Sequence, residues 1–578
     1  MLTLPSGAQT GITGPELAHC DASMQQFMRR WNVLGASVAI SKDGKLVYER
    51  AFGYADVART VAMQPHNLLR VASISKTVTA LAIMKLVEDG QLSLTHKVFG
   101  PDGYLNGRAY SRDIRDPRLR SITVQHLLEH SAGWDRAIGC DGYEGCDPID
   151  FPTHVAQVMH VPNPAGDSTI IRYMLRQGLN FAPGTRFAYC NVGYLILGKV
   201  LEAVTRQPYE RWVRQHVLQP SGVLEAHLGH NLPAAHLERE SSYLSRYRMR
   251  SCYNAGRQVP AANGGFNLEA MNAHGGWLFS ARDLVRLALA ADGFASRPDL
   301  LAPATLRAMT EPSATSARYA KGWMVDGNTW WHTGQLDGTA SLLARTAGGY
   351  TWAILLNTAN GSAPFWEDLK ALGWNWVAGA PAWPTHDLFA PERNATHLQA
   401  AAEADHVRLR WTNGCGTHRL VLLRAAGPST AFPLDGTAYP AASIFADGTI
   451  VAANTTDSTA ELVHLNPQRT YYARIVEYRQ DATTGNQPVY TLDGNPGQML
   501  TPAALSQQLP QLALITKPAK RKWWQLGAPP RPVANAPRAL PEGPPGPAGT
   551  EPVLPITKTH FLRVRRAWRA GIAHLGKQ

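Results

Sequence analysis

Val71-Ala-Ser-Ile-Ser-Lys-Thr-Val-Thr-Ala-Leu-Ala-Ile-Met-Lys-Leu-Val-Glu-Asp-Gly90 is the stretch from which the rest of the chain is read. Val78, Leu81, Ala82, Leu86 and Val87 recur at helical spacing and Gly90 supplies a stop, which predicts a buried helix of about four turns. Ser73 and Lys76 stand three residues apart at its start, on one face, with their heads within reach of each other. A serine hydroxyl is a poor nucleophile at neutral pH. A lysine desolvated against a core helix, however, loses part of its preference for the charged form and can take the serine proton. Free N–H groups in the first helical turn favour negative charge, so a carbonyl attacked by Ser73 develops its oxyanion in a prepared field. The same residues also fit a plainer reading, an N-cap serine at 73 or 75 followed by a solvated lysine. The pair by itself does not choose between them.

Upstream, after a helix-like segment to about Trp31, residues 35–53 read as two strands joined at Asp43-Gly44, a strong hairpin signal. Downstream, residues 92–272 are mostly of helical period, with Gly- and Pro-rich loops. They include a short capped helix over 123–134, another over 172–178, and a turn at Pro183-Gly184 leading into an apolar helix carrying Leu195, Ile196, Val200, Leu201 and Val204. Tyr189 and Asn191 fall at the head of that helix, either as a turn residue and a cap or as two side chains directed into a cleft. Strands return at 322–326, 329–334, 340–345 and 350–357, followed by a helix over 366–377. One sheet is therefore expected from both ends of this region, with a helical insert between them.

From 403 to 501 the pattern is short strands alone, at 407–411, 418–424, 449–452, 459–463 and 471–478. Leu465-Asn-Pro-Gln-Arg-Thr-Tyr471 resembles the tyrosine corner of fibronectin type III domains, and Trp411 stands where those domains keep a core tryptophan, which implies an all-β sandwich. Prolines crowd residues 502–557, an extended linker that cannot build a core. Residues 558–578 are basic, and form either an amphipathic helix for an anionic membrane or cell-wall polymer or a disordered, solvated tail.

At 578 residues the chain is long enough for three or four domains, and no apolar run is long enough to span a membrane. Its net charge of +12 is concentrated at the end: residues 517–578 hold twelve Lys/Arg and two Glu, leaving about +2 elsewhere, so nucleic acid is not the expected partner. The six cysteines show no C-x-x-C pairs and no neighbouring histidine spacing, which argues against structural zinc and a disulfide framework. Only Cys140 and Cys146 are close enough for a local bridge, and both remain readable as free thiols in a reducing compartment. The first residues lack a basic and an apolar region of the secretory kind, so the chain reads as cytoplasmic.

Ser73-x-x-Lys76, Tyr189-Cys-Asn191 and His332-Thr-Gly334 follow one another in chain order. So placed, they resemble the serine β-lactamase and penicillin-binding protein superfamily, in its class C-like branch of D-Ala-D-Ala carboxypeptidases, D-aminopeptidases and esterases. Leu127-Leu-Glu-His-Ser-Ala-Gly133, Pro183-Gly-Thr-Arg-Phe187 and Gly275-Gly-Trp-Leu-Phe-Ser-Ala-Arg282 supply matching context. The resemblance implies an α/β (α+β) hydrolase domain over 15–380, with an antiparallel sheet flanked by helices and a helical insert over about 92–272. A linker over 381–402 and the fibronectin III-like sandwich over 403–501 would follow. It implies Ser73 as acylated nucleophile, Lys76 as its proton partner and Tyr189 as proton shuttle. Asn191 would orient Lys76 and bind the substrate amide. His332, Thr333 and Gly334 would line the strand that receives the acyl chain, and the backbone N–H groups of Ser73 and Gln335 would form the oxyanion hole. Neither metal nor cofactor is implied. Members of the superfamily commonly act outside the cytoplasm, which also makes a periplasmic or extracellular location compatible with the resemblance.

Two positions depart from the class C β-lactamase pattern. His332 replaces a lysine, which weakens the fixed charge for a substrate carboxylate and turns the expectation toward a small ester or a D-amino-acid amide or peptide. Cys190 replaces a common serine and is expected to face the core without consequence. The alternatives are a sensor acylated without turnover, or a β-lactamase.

Overall fold

The computed structural model describes residues 9–12, 14–254, 256–403, 406–425, 427–492 and 494–501. The expected proline-rich linker over 502–557 and basic tail over 558–578 lie outside the described residues.

A seven-stranded antiparallel sheet runs in the order Gln9–Ile12, Lys45–Gly53, Gly35–Lys42, Tyr350–Leu356, Thr339–Arg345, Thr329–Leu336, Met324–Asp326. The N-terminal hairpin thus pairs centrally with a strand more than 300 residues later, with Ala39 opposite Ala353. The outermost strand, Gln9–Ile12, was not expected; four residues long and weakly patterned, it is held by pairing with Glu49–Phe52.

Both faces of the sheet are covered, so its central strands are apolar on both sides. Val38, Ile40, Trp352 and Ile354 pack with helices Ala18–Trp31 and Ala363–Gly379. On the other face Ala39, Ala353 and Leu355 join the core of the helical region. Helix Ser75–Glu88 runs through that core: every residue from Val71 to Met84 is buried except Ser73, and Gly90, at φ 69°, ends the helical segment. No helix among the described residues is long and apolar enough to cross a membrane.

Beyond the hydrolase sheet, strands Thr396–Ala402, His406–Thr412 and Thr459–Val463 form one antiparallel sheet, and Ile450–Thr455, His418–Ala425, Tyr471–Arg479, Val489–Tyr490 and Gly497–Leu500 form a second. They close on a shared core of Val407, Leu409, Trp411, Val421, Leu462, Ile475 and Leu500. The first strand takes residues 396–402 from the span expected as linker. It pairs with His406–Thr412 through a register shift that blurs its alternation. Buried Arg282 ties this unit to the first, donating to Asp435 Oδ2 at 2.9 Å and lying 3.5 Å from Glu49 Oε2, while the Leu492 N–H donates to Glu225 Oε1 at 2.7 Å.

Candidate active site

The chain enters the site through a tight turn. Ala72 adopts φ 47°, a left-handed conformation that costs about 1–3 kcal/mol for a residue with a β-carbon. A single 3₁₀ turn, Ala72–Ile74, then feeds helix Ser75–Glu88, so Ser73 precedes the α-helix rather than lying within it. Ser73 keeps partial exposure while its neighbours are buried.

Lys76 is fully buried, with Nζ 3.1 Å from Ser73 Oγ, 2.8 Å from Asn191 Oδ1 and 2.9 Å from the His274 carbonyl. Desolvation holds its pKa well below 10.5, helped by the Arg136 guanidinium and opposed by Asp147. A neutral amine has two N–H donors and one lone pair. The two acceptor-only partners, the carbonyl oxygens of Asn191 and His274, take the two donors, which leaves the lone pair for the Ser73 hydroxyl. The Asn191 amide is oriented in turn: its Nδ2 donates to Asp147 Oδ2 at 2.8 Å, and that carboxylate also meets Arg136 at 3.4 Å.

Tyr189 is half-buried and its hydroxyl bonds Ser73, with the Lys76 Nζ 4.9 Å from its ring centre. Burial raises its pKa, so the phenol stays protonated at neutral pH. His130 packs against it with ring centres 4.3 Å apart, accepts the Cys190 N–H at Nδ1 (3.1 Å) and so donates from Nε2 to the Tyr319 hydroxyl (3.1 Å). Cys190 is buried, as expected.

The third segment, Thr329–Leu336, lies against the Ser73 turn. Gly334 makes this approach possible, since a β-carbon there would sit 2.1 Å from the Val71 carbonyl oxygen. Ser341 Oγ donates to the same oxygen at 2.8 Å. His332 faces inward, 1% exposed and 6.4 Å from Tyr189 between ring centres. Its Nδ1–H donates to the Thr333 carbonyl at 2.7 Å, and burial with nearby Lys76 pulls its pKa down to about 3, so the imidazole is neutral at pH 7. Thr333 and Gln335 alternate to the opposite face, where Gln335 Oε1 accepts from Trp366 Nε1 at 3.2 Å, leaving only their backbones on the site side. The neighbouring strand Met324–Asp326 pairs with Thr329–Leu336 only at Thr329–Trp331. Among the described residues no strand covers the edge from His332 to Leu336 on that side.

All the side chains singled out in the sequence therefore converge, apart from those of Thr333 and Gln335. Sequence reasoning missed Arg136, Asp147, Tyr319 and the His274 carbonyl; His130 lay inside a quoted stretch but unassigned. Cys140 and Cys146 form a disulfide within the loop that joins Arg136 to Asp147, and the Cys146 N–H donates to the Arg136 carbonyl at 3.1 Å. Among the described residues no cluster of His, Cys, Asp and Glu is placed to hold a metal ion.

The Beta-lactamase family model matches residues 20–373. Protein flp of Staphylococcus aureus (strain MW2) is 27% identical over 209 residues, 36% of this chain and 38% of that protein. Esterase EstB of Burkholderia gladioli is 29% identical over 211 residues, 36% of this chain and 50% of EstB. The matched region thus spans 38% of the first of these relatives and 50% of the second. The D-amino acid amidase of Ochrobactrum anthropi SV3, solved with L-phenylalanine amide, aligns over 63% of this chain and 100% of its own, with 20% identity and a TM-score of 0.47.

Proposed function

The chain belongs to the Beta-lactamase family, whose members are serine hydrolases, and from that premise we propose that it hydrolyses a small ester, or a D-amino-acid amide or peptide, through an acyl-enzyme on Ser73. The observation that carries this reading is the buried Lys76 amine, 3.1 Å from Ser73 Oγ, whose other two partners are the carbonyl oxygens of Asn191 and His274.

Ser73 Oγ attacks the substrate carbonyl carbon while its proton passes to Lys76. The carbonyl π pair moves to oxygen, which receives the backbone N–H groups of Ser73 and Gln335 on the two segments that Gly334 brings together. Collapse of the tetrahedral intermediate breaks the bond to the leaving oxygen or nitrogen, which takes a proton from Tyr189; the Lys76 ammonium replaces that proton. Tyr189 acts as a relay and not as a resting phenolate, since burial keeps its proton on. Water then adds to the acyl carbonyl and passes a proton along the same relay, and Ser73 leaves protonated as the carboxylic acid departs.

The neutral His332 supports an acyl group without a carboxylate at that position, and the uncovered strand edge beyond Trp331 suits main-chain pairing with an extended acyl chain. The esterase among the relatives is in keeping with an ester substrate. The test is incubation with p-nitrophenyl acetate, D-Ala p-nitroanilide and nitrocefin. Steady turnover of the ester or the anilide is expected; one stoichiometric burst that stops would instead mark an acylated sensor. Ser73→Ala is expected to abolish turnover and Lys76→Ala to cost nearly as much, because members of one catalytic unit are non-additive. Residual activity in Ser73→Ala within about tenfold of wild type, a loss of only ~1.4 kcal/mol, would overturn the acyl-serine mechanism.

We assign residues 403–501, with the strand at 396–402, to a fibronectin III-like sandwich. Supporting this are its two sheets of short antiparallel strands, the buried Trp411, and the Tyr471 hydroxyl, which accepts the Asn466 N–H at 3.1 Å in the manner of a tyrosine corner.

A further inference from the structure

Arg136 and Asp147, the charged pair behind Asn191, stand at the two ends of one surface loop, and a covalent bond closes that loop beside them. Cys140 and Cys146 are joined as a disulfide; the Cys146 N–H donates to the Arg136 carbonyl at 3.1 Å and the Tyr143 N–H to the Cys140 carbonyl at 2.9 Å. Cys146 is the residue before Asp147, so the cystine fixes the backbone from which the buried carboxylate reaches the Asn191 amide at 2.8 Å. The closed loop rests on helix Asp167–Gln177. There Cys140 Sγ lies 3.7 Å from the Tyr173 hydroxyl and Cys146 Sγ 3.8 Å from Met174 Sδ, while the Asp141 carboxylate accepts from Tyr173 at 2.7 Å and from Gln177 Nε2 at 3.2 Å.

The chain between the two ends is poorly suited to keep this shape unaided. Residues 137–146 include Gly139, Gly142 and Gly145, and glycine has the most backbone freedom to lose on ordering. Most of the segment from 137 to 144 is exposed, so little packing replaces the cross-link. Opening so short a ring multiplies the conformations available to it. The consequence reaches the nucleophile through one amide: the Asp147 carboxylate takes the Asn191 Nδ2 donor and so turns Oδ1 toward Lys76 Nζ, 2.8 Å away. Cys140 is the less buried half of the bridge and the half that an external thiolate meets first.

We propose that the Cys140–Cys146 disulfide is a reducible positioning clamp on the hydrolytic site: closed, it holds Asp147 against Asn191; opened by a dithiol, it frees Asp147 and turnover slows. The inference rests on the hydrolytic reading of that site. With dithiothreitol as reductant, one thiolate bonds to Cys140 Sγ and displaces the Cys146 thiolate. The second thiol then closes the reagent into its cyclic disulfide and frees Cys140, so two electrons pass to the cystine and both cysteines end protonated. Glutathione disulfide reverses the exchange.

In the full chain, denatured without reductant, iodoacetamide is expected to label only Cys20, Cys190, Cys252 and Cys415, and labelling of all six cysteines would overturn the proposal. Rates on p-nitrophenyl acetate, less the Ser73→Ala rate, are then compared before and after reduction, with the reagent removed by anaerobic gel filtration. On reduction kcat is expected to fall about tenfold with KM within about twofold, to recover on reoxidation, and to be equally low in the double variant Cys140→Ser, Cys146→Ser. In Asp147→Asn, reduction is expected to change kcat by less than about twofold, because the clamp acts through that carboxylate. The proposal is overturned by a kcat that reduction leaves unchanged, by an equal loss in Asp147→Asn and wild type, or by loss of the far-UV circular dichroism of the reduced chain, which would mark a global staple. Deuterium exchange across residues 136–147 is expected to quicken on reduction, and unchanged exchange overturns the clamp whether or not the chain turns over. Quickened exchange in a chain without Ser73-dependent hydrolysis would refute the hydrolytic reading and leave the clamp on Asp147 standing.

Discussion

Gly334→Ala probes the geometry most directly. A β-carbon at this position would lie 2.1 Å from the Val71 carbonyl oxygen, 2.3 Å from Ser341 Oγ and 3.1 Å from the Ala72 β-carbon. The Gly334 φ lies outside the left-handed region, so alanine meets no backbone penalty and the clash is the whole effect. Restoring ordinary contact distances requires the strand to retreat from the Ser73 turn by about 1 Å. Overpacking of this kind costs about 1–3 kcal/mol, and losing the 2.8 Å bond from Ser341 Oγ to the Val71 carbonyl adds about 1 kcal/mol. The melting temperature is therefore expected to fall by several degrees. The rate responds more strongly, because the Gln335 N–H and the Ser73 hydroxyl sit on the two segments being forced apart. A displacement of about 1 Å is worth roughly 100-fold in kcat/KM. Initial rates on p-nitrophenyl acetate and thermal melts of both proteins measure the two effects. Activity within about threefold of wild type, with an unchanged melting temperature, would refute the claim that this glycine sets the distance between motif strand and nucleophile.

Acid is expected to destabilise the fold through its buried histidines. Burial holds His66 and His332 down to about 3 and His130 and His274 well below 6.5, while in the unfolded chain all titrate near 6.5. Between these values the unfolded state binds more protons, so stability is lost as pH falls from about 6.5 to about 3, by up to ~1.4 kcal/mol per pH unit for each histidine. Urea midpoints against pH for wild type and His332→Gln check this, and identical slopes would contradict it. Asp147→Asn lets the Asn191 amide turn its NH₂ toward Lys76, removing the acceptor that leaves the lysine lone pair for Ser73. A drop in kcat of about tenfold or more with little change in KM is expected, and an unchanged kcat would remove Asp147 from the positioning chain. Tyr471→Phe deletes the acceptor of the Asn466 N–H and is expected to cost about 1 kcal/mol in chemical denaturation while leaving hydrolysis untouched; a fall in kcat would show coupling between the sandwich and the site.

Local pattern was enough for much of this protein. The 3.6-residue period of 75–88, the Asp43-Gly44 hairpin, the alternating strands from 324 to 356 and the short strands from 407 to 478 are set by residues adjacent in the chain, and the structure places elements at each. The spacing of Ser73 and Lys76 likewise fixed their contact, because one helical turn leaves them little freedom to part. The short strands Gln9–Ile12 and Thr396–Ala402 escaped notice, since each is defined by its partner more than by its own alternation.

The surroundings of the Lys76 amine were decided only in three dimensions. Its partners come from positions 191 and 274, the carboxylate that orients Asn191 from 147, and the neighbouring guanidinium from 136. The desolvation that lowers its pKa depends on how completely distant helices exclude water from one amine. Periodicity reports which face of an element is apolar; the dielectric around a buried nitrogen depends on segments that meet only once the chain has folded.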